Sequence, residues 1–268
     1  MAFVLKDKVA LITGGGTGLG KEIARHTYHY YWNRLFAKEG MHLGINYSRS
    51  QKEAEETVRE LVTEYGITAY AIQADVGRVA DAERVVEETV RLFGRIDVLV
   101  NNAGVTTFCE FTNLDGLQEE DWDKMLNVNT KAPFFTARAA GKHMKKQEGG
   151  GCILNCTSIG ASNTSGSSIA YCASKAAMSH LTRCLASAMS PEIRVNAVAP
   201  GFLETRWGAM FGDVIKERLI DSAVLKKSTS LEECAAAFVF LAKNSSMTGQ
   251  IITVDAGLTI TSGYSPHK

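Results

Sequence analysis

The chain has 268 residues, of which 45% are hydrophobic, 22% charged and only four proline, so it can build an ordinary buried core and is not disordered, collagenous or a peptide-sized scaffold. Twenty-nine Lys plus Arg balance 29 Asp plus Glu, which leaves no net field to draw the molecule to nucleic acid or anionic lipid. The six cysteines form no CxxC pair, no apolar run approaches the roughly 20 residues of a membrane span, and the start MAFVLKDKVALITGG has charges inside any signal core; a reduced, soluble, cytoplasmic protein with no metal centre is expected.

Seven β-like runs follow one another at 9–12, 42–46, 69–73, 97–101, 152–156, 194–198 and 251–255. Helix-period segments separate them. After the second run, Ser50 and Glu53 have the spacing of a capping box, and Ala54, Val58, Leu61, Val62 and Tyr65 recur on one helical face. Ala82, Val85, Val86 and Phe93 repeat that pattern, and a late helix opens with a second box at Ser230 and Glu233. Strands without polar alternation suit a sheet covered on both faces. With helical crossovers between them they predict an α/β fold, a doubly wound seven-stranded parallel sheet with helices on both faces. No linker-like stretch or tandem repeat interrupts residues 1–268, so one domain is expected.

The first strand runs into Thr13-Gly14-Gly15-Gly16-Thr17-Gly18-Leu19-Gly20 and then into the helical KEIAR. Glycine permits a tight turn whose backbone N–H groups approach a pyrophosphate at the positive end of the next helix. A glycine pattern alone is weak, but its place between strand and helix is the context that marks a dinucleotide site. The second run ends Asn46-Tyr47-Ser48-Arg49-Ser50, with no carboxylate to accept from an adenosine ribose 2′-hydroxyl. A hydroxyl at Ser48 beside the Arg49 guanidinium suits a 2′-phosphate, which favours NADP(H) over NAD(H); the alternative is that Arg49 is only a solvated loop charge.

Residues 171–175 read Tyr-Cys-Ala-Ser-Lys, and positions i and i+4 of a helix share a face, so Tyr171 and Lys175 can reach one ligand. Ser158 lies thirteen residues earlier, just past the fifth run, at the carboxyl edge where open α/β sheets bind ligands. Asn101-Asn102-Ala103-Gly104 sits at the same edge after the fourth run, and Pro200-Gly201 with Thr205 after the sixth.

Taken together, TGGGTGLG, Asp75 with Val76, NNAG at 101–104, Asn129 in NVN, Ser158, YCASK, PGFLET and TGQIITVDAG occur in the order found in short-chain dehydrogenases/reductases. Over nearly its whole length the chain resembles the branch of that family holding 3-oxoacyl-carrier-protein reductases and carbonyl reductases. The resemblance implies a Rossmann-type fold, a homotetramer and an NADPH-dependent reduction of a carbonyl to a hydroxyl, with a 3-oxoacyl thioester among the candidate substrates. By the same resemblance Tyr171 is the general acid, Lys175 lowers its pKa and holds the nicotinamide ribose, Ser158 binds the substrate oxygen and Asn129 holds a proton-relay water. A free tyrosine, with a pKa about 10, is a poor catalyst near neutrality, which is why the lysine is needed. Gly14, Gly16, Thr17, Gly18, Leu19, Gly20, Ser48, Arg49, Asp75, Val76, Asn101, Asn102, Ala103, Gly104, Pro200, Gly201 and Thr205 would form the cofactor trough. Asn129 could instead satisfy helix backbone groups, and Asp75 could cap a strand end. Cys172, beside the tyrosine, is read as a packing residue.

The chain departs from the family at residues 26–34, His-Thr-Tyr-His-Tyr-Tyr-Trp-Asn-Arg, nine residues inside the first helix. At about 100° per residue they would turn Leu35 and Phe36 half a turn off the core, so the insert either bulges out or forces the helix to repack. Between Gly201 and Ser230 the resemblance implies a substrate lid, about 202–228, with Phe202, Trp207, Met210 and Phe211 as apolar walls and Arg206 and Lys216 as solvated charges or anion contacts. Two other functions remain open at this point: an NAD(P)-dependent alcohol or sugar dehydrogenase, and a dinucleotide-binding regulatory or partner subunit with weak catalysis.

Overall fold

In the computed structural model, residues 3–24, 36–164 and 166–260 are described. Seven strands, β1 (Val9–Ile12), β2 (His42–Tyr47), β3 (Ala69–Gln73), β4 (Val98–Asn101), β5 (Gly151–Cys156), β6 (Ile193–Pro200) and β7 (Ile251–Val254), form one parallel sheet in the order β3-β2-β1-β4-β5-β6-β7. Each predicted run is a strand, with ends moved by no more than two residues. The central strands β1, β4 and β5 are buried along their whole length, as their unbroken apolar character requires. The edge strands β3 and β7 keep exposed positions.

Helices α1 (Gly18–Ala24), α2 (Gln51–Tyr65), α3 (Val79–Phe93), α4 (Glu119–Leu126), α5 (Ala132–Met144), α6 (Ile169–Met189), α7 (Arg206–Ala209), α8 (Asp213–Ser222) and α9 (Leu231–Lys243) connect them. One apolar layer joins α1, α2 and α9 to the sheet through Ile23, Phe36, Leu61 and Phe238; the other joins α3, α5 and α6 through Val85, Val86, Ala140 and Leu185. The sheet is therefore covered on both faces. Its order reverses between β1 and β4, and the crevice outside the carboxyl ends of those two strands is where such sheets bind ligands.

Two helix-start expectations fare differently. Ser230 does cap α9, its Oγ accepting from the Glu233 amide at 3.2 Å. Ser50 makes no side-chain capping bond to α2, and Val62 is exposed while Ala54, Thr57 and Leu61 form the buried face. A capping box that sequence reading missed, Gln118 with Asp121, opens α4.

The insert at 26–34 lies outside the described residues, but its flanks are described. The Ala37 amide donates to the Ala24 carbonyl at 3.3 Å, the bond an α-helix makes between residues four apart, although thirteen positions separate the two in sequence. Phe36 and Ala37 are buried in the core with Ile23 and Ala24. The Met41 amide donates to Phe36 O and the Gly40 amide to Ala37 O, with Gly40 at φ +78°, so the helix ends in a Schellman motif. The end of α1 and the turn at 36–40 are thus joined across the insert by one hydrogen bond of helical type.

Candidate active site

The glycine turn leaves β1 and is locked to the turn that leaves β4. Thr13 Oγ1 accepts from the amides of Asn102 and Ala103 at 3.0 Å each, and Asn102 Nδ2 donates to Thr13 O at 2.9 Å and Gly14 O at 3.2 Å. Asn46 ties the same turn to β2: its Oδ1 accepts from the Gly14 amide at 3.3 Å while its Nδ2 donates to carbonyls of β3 and beyond. Thr13 and Asn46 were not singled out as functional from sequence; their signal is a polar side chain at a strand's carboxyl end facing glycine. The turn tolerates no side chain at Gly20, whose added Cβ would lie 2.3 Å from Gly14 O, and Gly14 itself sits at φ +62°.

A cleft of about 850 Å³ runs along this crevice. Every residue expected in the cofactor trough lines it except Asn101, which is buried beneath the floor. There Asn101 Nδ2 donates to Asn155 Oδ1 at 2.9 Å and its Oδ1 accepts from Thr136 Oγ1 at 2.7 Å, a link from the sheet to α5. Ser48 and Arg49 are exposed at the far end of the cleft, and Arg49 has no ion-pair partner among the described residues. Asp75 lines the cleft and also caps its strand end, its Oδ1 accepting from the Gly77 amide at 3.1 Å.

At the other end stand Ser158, Tyr171 and Lys175. Ser168 caps α6, its Oγ accepting from the Tyr171 amide at 3.3 Å, which fixes Tyr171 in the first turn and Lys175 one turn on. Lys175 is buried, donates from Nζ to Cys156 O at 2.8 Å, and lies 5.8 Å from the centre of the Tyr171 ring. Ser158 caps the short turn after β5 by accepting from the Gly160 amide at 3.1 Å. Burial pushes the Tyr171 phenol well above its ordinary pKa, against the opposing pull of a hydrogen bond with Ser158, and pulls the Lys175 ammonium down.

Asn129 is fully buried in a widened π turn, Asn127–Lys131, between α4 and α5. Its Oδ1 accepts from the Val105 amide, and its Nδ2 donates to Val105 O and Ser174 Oγ, each at 2.9 Å. Asn129 thus satisfies backbone groups, of the strand-end loop rather than of a helix. An added Cβ at Gly104 would lie 3.5 Å from Asn129 Oδ1, 3.6 Å from Lys175 Nζ and 3.6 Å from the Trp207 ring, so this glycine keeps open the point where the three meet.

The segment expected to be the lid supplies aromatic rings to the cleft. Trp207 on α7 meets Tyr171 edge to face at 5.6 Å, and Phe211 stands between Phe108 at 4.9 Å and Phe202 at 6.0 Å. Met210 points away and is exposed, which removes it from the wall. Phe108, from the loop after β4, backs the Phe211 ring without lining the cleft. Lys216 is paired with Glu204, which also receives Ser228, and Arg206 pairs with Glu53 of α2 at 3.2 Å. Cys172 is half-buried against Gly166, where an added Cβ would lie 2.6 Å from its sulfur.

A parallel sheet with a glycine turn at its reversal point and a serine, tyrosine and lysine gathered at the same edge defines a nucleotide-dependent oxidoreductase of the Rossmann type. The family profile described as enoyl-(acyl carrier protein) reductase matches residues 18–259. The chain is 32% identical over 255 residues to 3-oxoacyl-[acyl-carrier-protein] reductase FabG of Staphylococcus epidermidis, covering 94% of this chain and 99% of that one. Among solved structures it is similar to the NADPH-dependent 3-quinuclidinone reductase of Rhodotorula rubra, at 31% identity and TM-score 0.84 over 96% of this chain and 93% of that one. A short-chain dehydrogenase of Burkholderia cenocepacia solved with NADP is 30% identical, with TM-score 0.85 over 96% of this chain and 100% of that one. The chain belongs to the short-chain dehydrogenase/reductase family and is an enzyme of that family.

Proposed function

We propose that the protein is an NADPH-dependent carbonyl reductase in which Tyr171, Lys175, Ser158 and Asn129 form the catalytic set of one domain. The observation that carries this reading is the placement of Ser158, Tyr171 and Lys175 at one end of a continuous cleft whose other end holds Ser48 and an uncommitted Arg49. The glycine cradle fits a dinucleotide: it has no room for side chains, and the first N–H groups of α1 have no intrahelical partner and suit a pyrophosphate. Ser48 and Arg49 would hold the 2′-phosphate, Asp75 and Val76 the adenine, and Asn102 to Gly104 the nicotinamide half, with Thr205, Pro200 and Gly201 over it.

When bound, NADPH supplies a hydride to the substrate's carbonyl carbon. Tyr171 donates its phenolic proton to the carbonyl oxygen, giving the alcohol. A tyrosine phenol is protonated at neutral pH, the form reduction needs, and burial raises the Tyr171 pKa further above that pH. Ser158 Oγ hydrogen-bonds the same oxygen and stabilises the charge that develops there. Lys175, a charge within reach of the phenol, favours the phenolate left after transfer. Asn129 holds the loop that leaves β4 in place beside the ammonium; its role with a proton-relay water is carried over from the family resemblance.

The aromatic wall of Phe202, Trp207 and Phe211 favours an apolar group beside the carbonyl, and the FabG relative supports a 3-oxoacyl thioester as one such substrate. Exposed Phe134, Phe240 and Ile260 offer surface for the subunit contacts of a homotetramer. No helix among the described residues is long and apolar enough to cross a membrane. The test is turnover of purified protein with a panel of ketones and oxoacyl thioesters, following NADPH and NADH consumption separately. Reduction with preference for NADPH, reversed toward NADH by Arg49→Asp, is the expected result. Absence of turnover with either nucleotide overturns the reading.

A further inference from the structure

The glycine turn carries no cation between Gly14 and Gly20, and the next one, Lys21, is held by Glu60 at 3.1 Å. A dinucleotide phosphate set therefore meets Arg49 at one end and no uncommitted basic side chain of its own turn. Arg206 is placed to supply one. Residues 16–18 of the turn lie between α2 and the lid: an added Cβ at Gly16 would stand 3.1 Å from Ala54, Thr57 Oγ1 donates to Gly16 O at 3.4 Å, and an added Cβ at Gly18 would stand 3.6 Å from the Thr205 methyl. Glu53 precedes Ala54 and Arg206 follows Thr205. Their ion pair, Nη1 to Oε1 at 3.2 Å, closes a bridge across the glycine turn from the lid to α2, 153 residues away in sequence. Arg206, Ser48, Arg49 and Ser50 line the same cleft.

A molecule stretching from Arg49 to Tyr171 must cross the glycine turn, so it passes beside this bridge. We infer that Arg206 is a phosphate-binding residue of the dinucleotide site, held by Glu53 in the nucleotide-free chain and transferred to a cofactor phosphate on binding. This rests on the dinucleotide reading above. An exposed carboxylate pair is a weak partner, whereas a phosphate offers the guanidinium two charged oxygens in a matching geometry, so the exchange favours the nucleotide. The pairing also has a use before binding: it covers the negative charge of Glu53, which would otherwise repel the incoming phosphate. The sequence reading offered Arg206 as a solvated charge or an anion contact at the substrate end; the structure has it exposed and paired with Glu53 beside the glycine turn.

The experiment is the binding affinity of NADPH and of NADH, read by reduced-nicotinamide fluorescence, for the wild type, Arg206→Gln, Glu53→Gln and the double variant. Arg206→Gln is expected to weaken binding about tenfold. Glu53→Gln, which frees the guanidinium and removes a repelling charge, is expected to tighten it about twofold. The double variant should behave as Arg206→Gln. A loss confined to NADPH places the contact at the 2′-phosphate, and an equal loss with NADH places it at the pyrophosphate. If both single variants weaken binding alike, the pair is only a strap holding the lid, and the inference fails; it fails also if Arg206→Gln changes neither affinity. A wild type that binds neither nucleotide overturns the oxidoreductase reading itself, before any substitution is examined.

Discussion

The floor and the lid of the cleft are built on opposite terms. On the floor, Asn129, Lys175, Thr13 and Asn155 are buried and each is engaged by neighbouring backbone or side-chain groups at about the lengths of good hydrogen bonds. The segment from Phe202 to Lys227, the proposed lid, keeps its charge pairs exposed and lines the cleft with Phe202, Trp207 and Phe211 together with Leu203, Ile215, Leu219 and Arg206. A floor of this kind fixes the position of the reacting groups to within a bond length, which general acid catalysis requires. A lid of this kind can exchange one apolar wall for another without disturbing the proton path. In the proposed function, chemistry is thus specified on the floor and substrate choice above it.

Replacing Tyr171 by Phe tests the floor most severely. It should lower kcat by about a thousandfold or more, with NADPH affinity within about twofold of wild type, as measured by steady-state kinetics beside fluorescence titration. Appreciable residual turnover would assign the proton to another group. Phe211→Ala tests the lid and should have a smaller and different effect: KM for a bulky apolar ketone rises about tenfold while kcat changes little, because the ring contacts the substrate equally in ground and transition states. A matching fall in kcat would show that the aromatic wall also positions the reacting carbon, and the contrast between floor and lid would blur.

The smallest effect is expected from deleting residues 26–34. Since Ala24 and Ala37 already share a helical hydrogen bond, joining Arg25 to Leu35 should leave NADPH affinity within about twofold and the melting temperature no lower. A weaker grip on the nucleotide after deletion would mean that the insert reaches the glycine turn.

Much of this was legible in the sequence. The seven strands and the glycine turn are local signals, since apolar runs and glycine spacing need only near neighbours to be read. Tyr171 and Lys175 were legible because a helix converts a spacing of four into a shared face. What escaped was settled by contacts distant along the chain. Glu53 has the spacing of a capping residue, yet its carboxylate pairs with Arg206, and separately the Ser50 hydroxyl makes no capping bond. Asn101 stands in a motif that points at the cofactor, but its amide is used to join β5 and α5 below the floor. The π turn at Asn129 has no compositional mark, because one extra residue per turn is imposed by what lies on either side.

The bond that joins the two flanks of the insert has a practical meaning. Ala24 and Ala37 are hydrogen-bonded across thirteen positions of sequence, so this point is expected to act as a port in the scaffold, where a segment can be gained or lost without re-aiming the nucleotide turn upstream. An epitope or a fluorophore-bearing peptide grafted between Arg25 and Leu35 would ride on the enzyme as cargo, leaving its catalytic apparatus untouched.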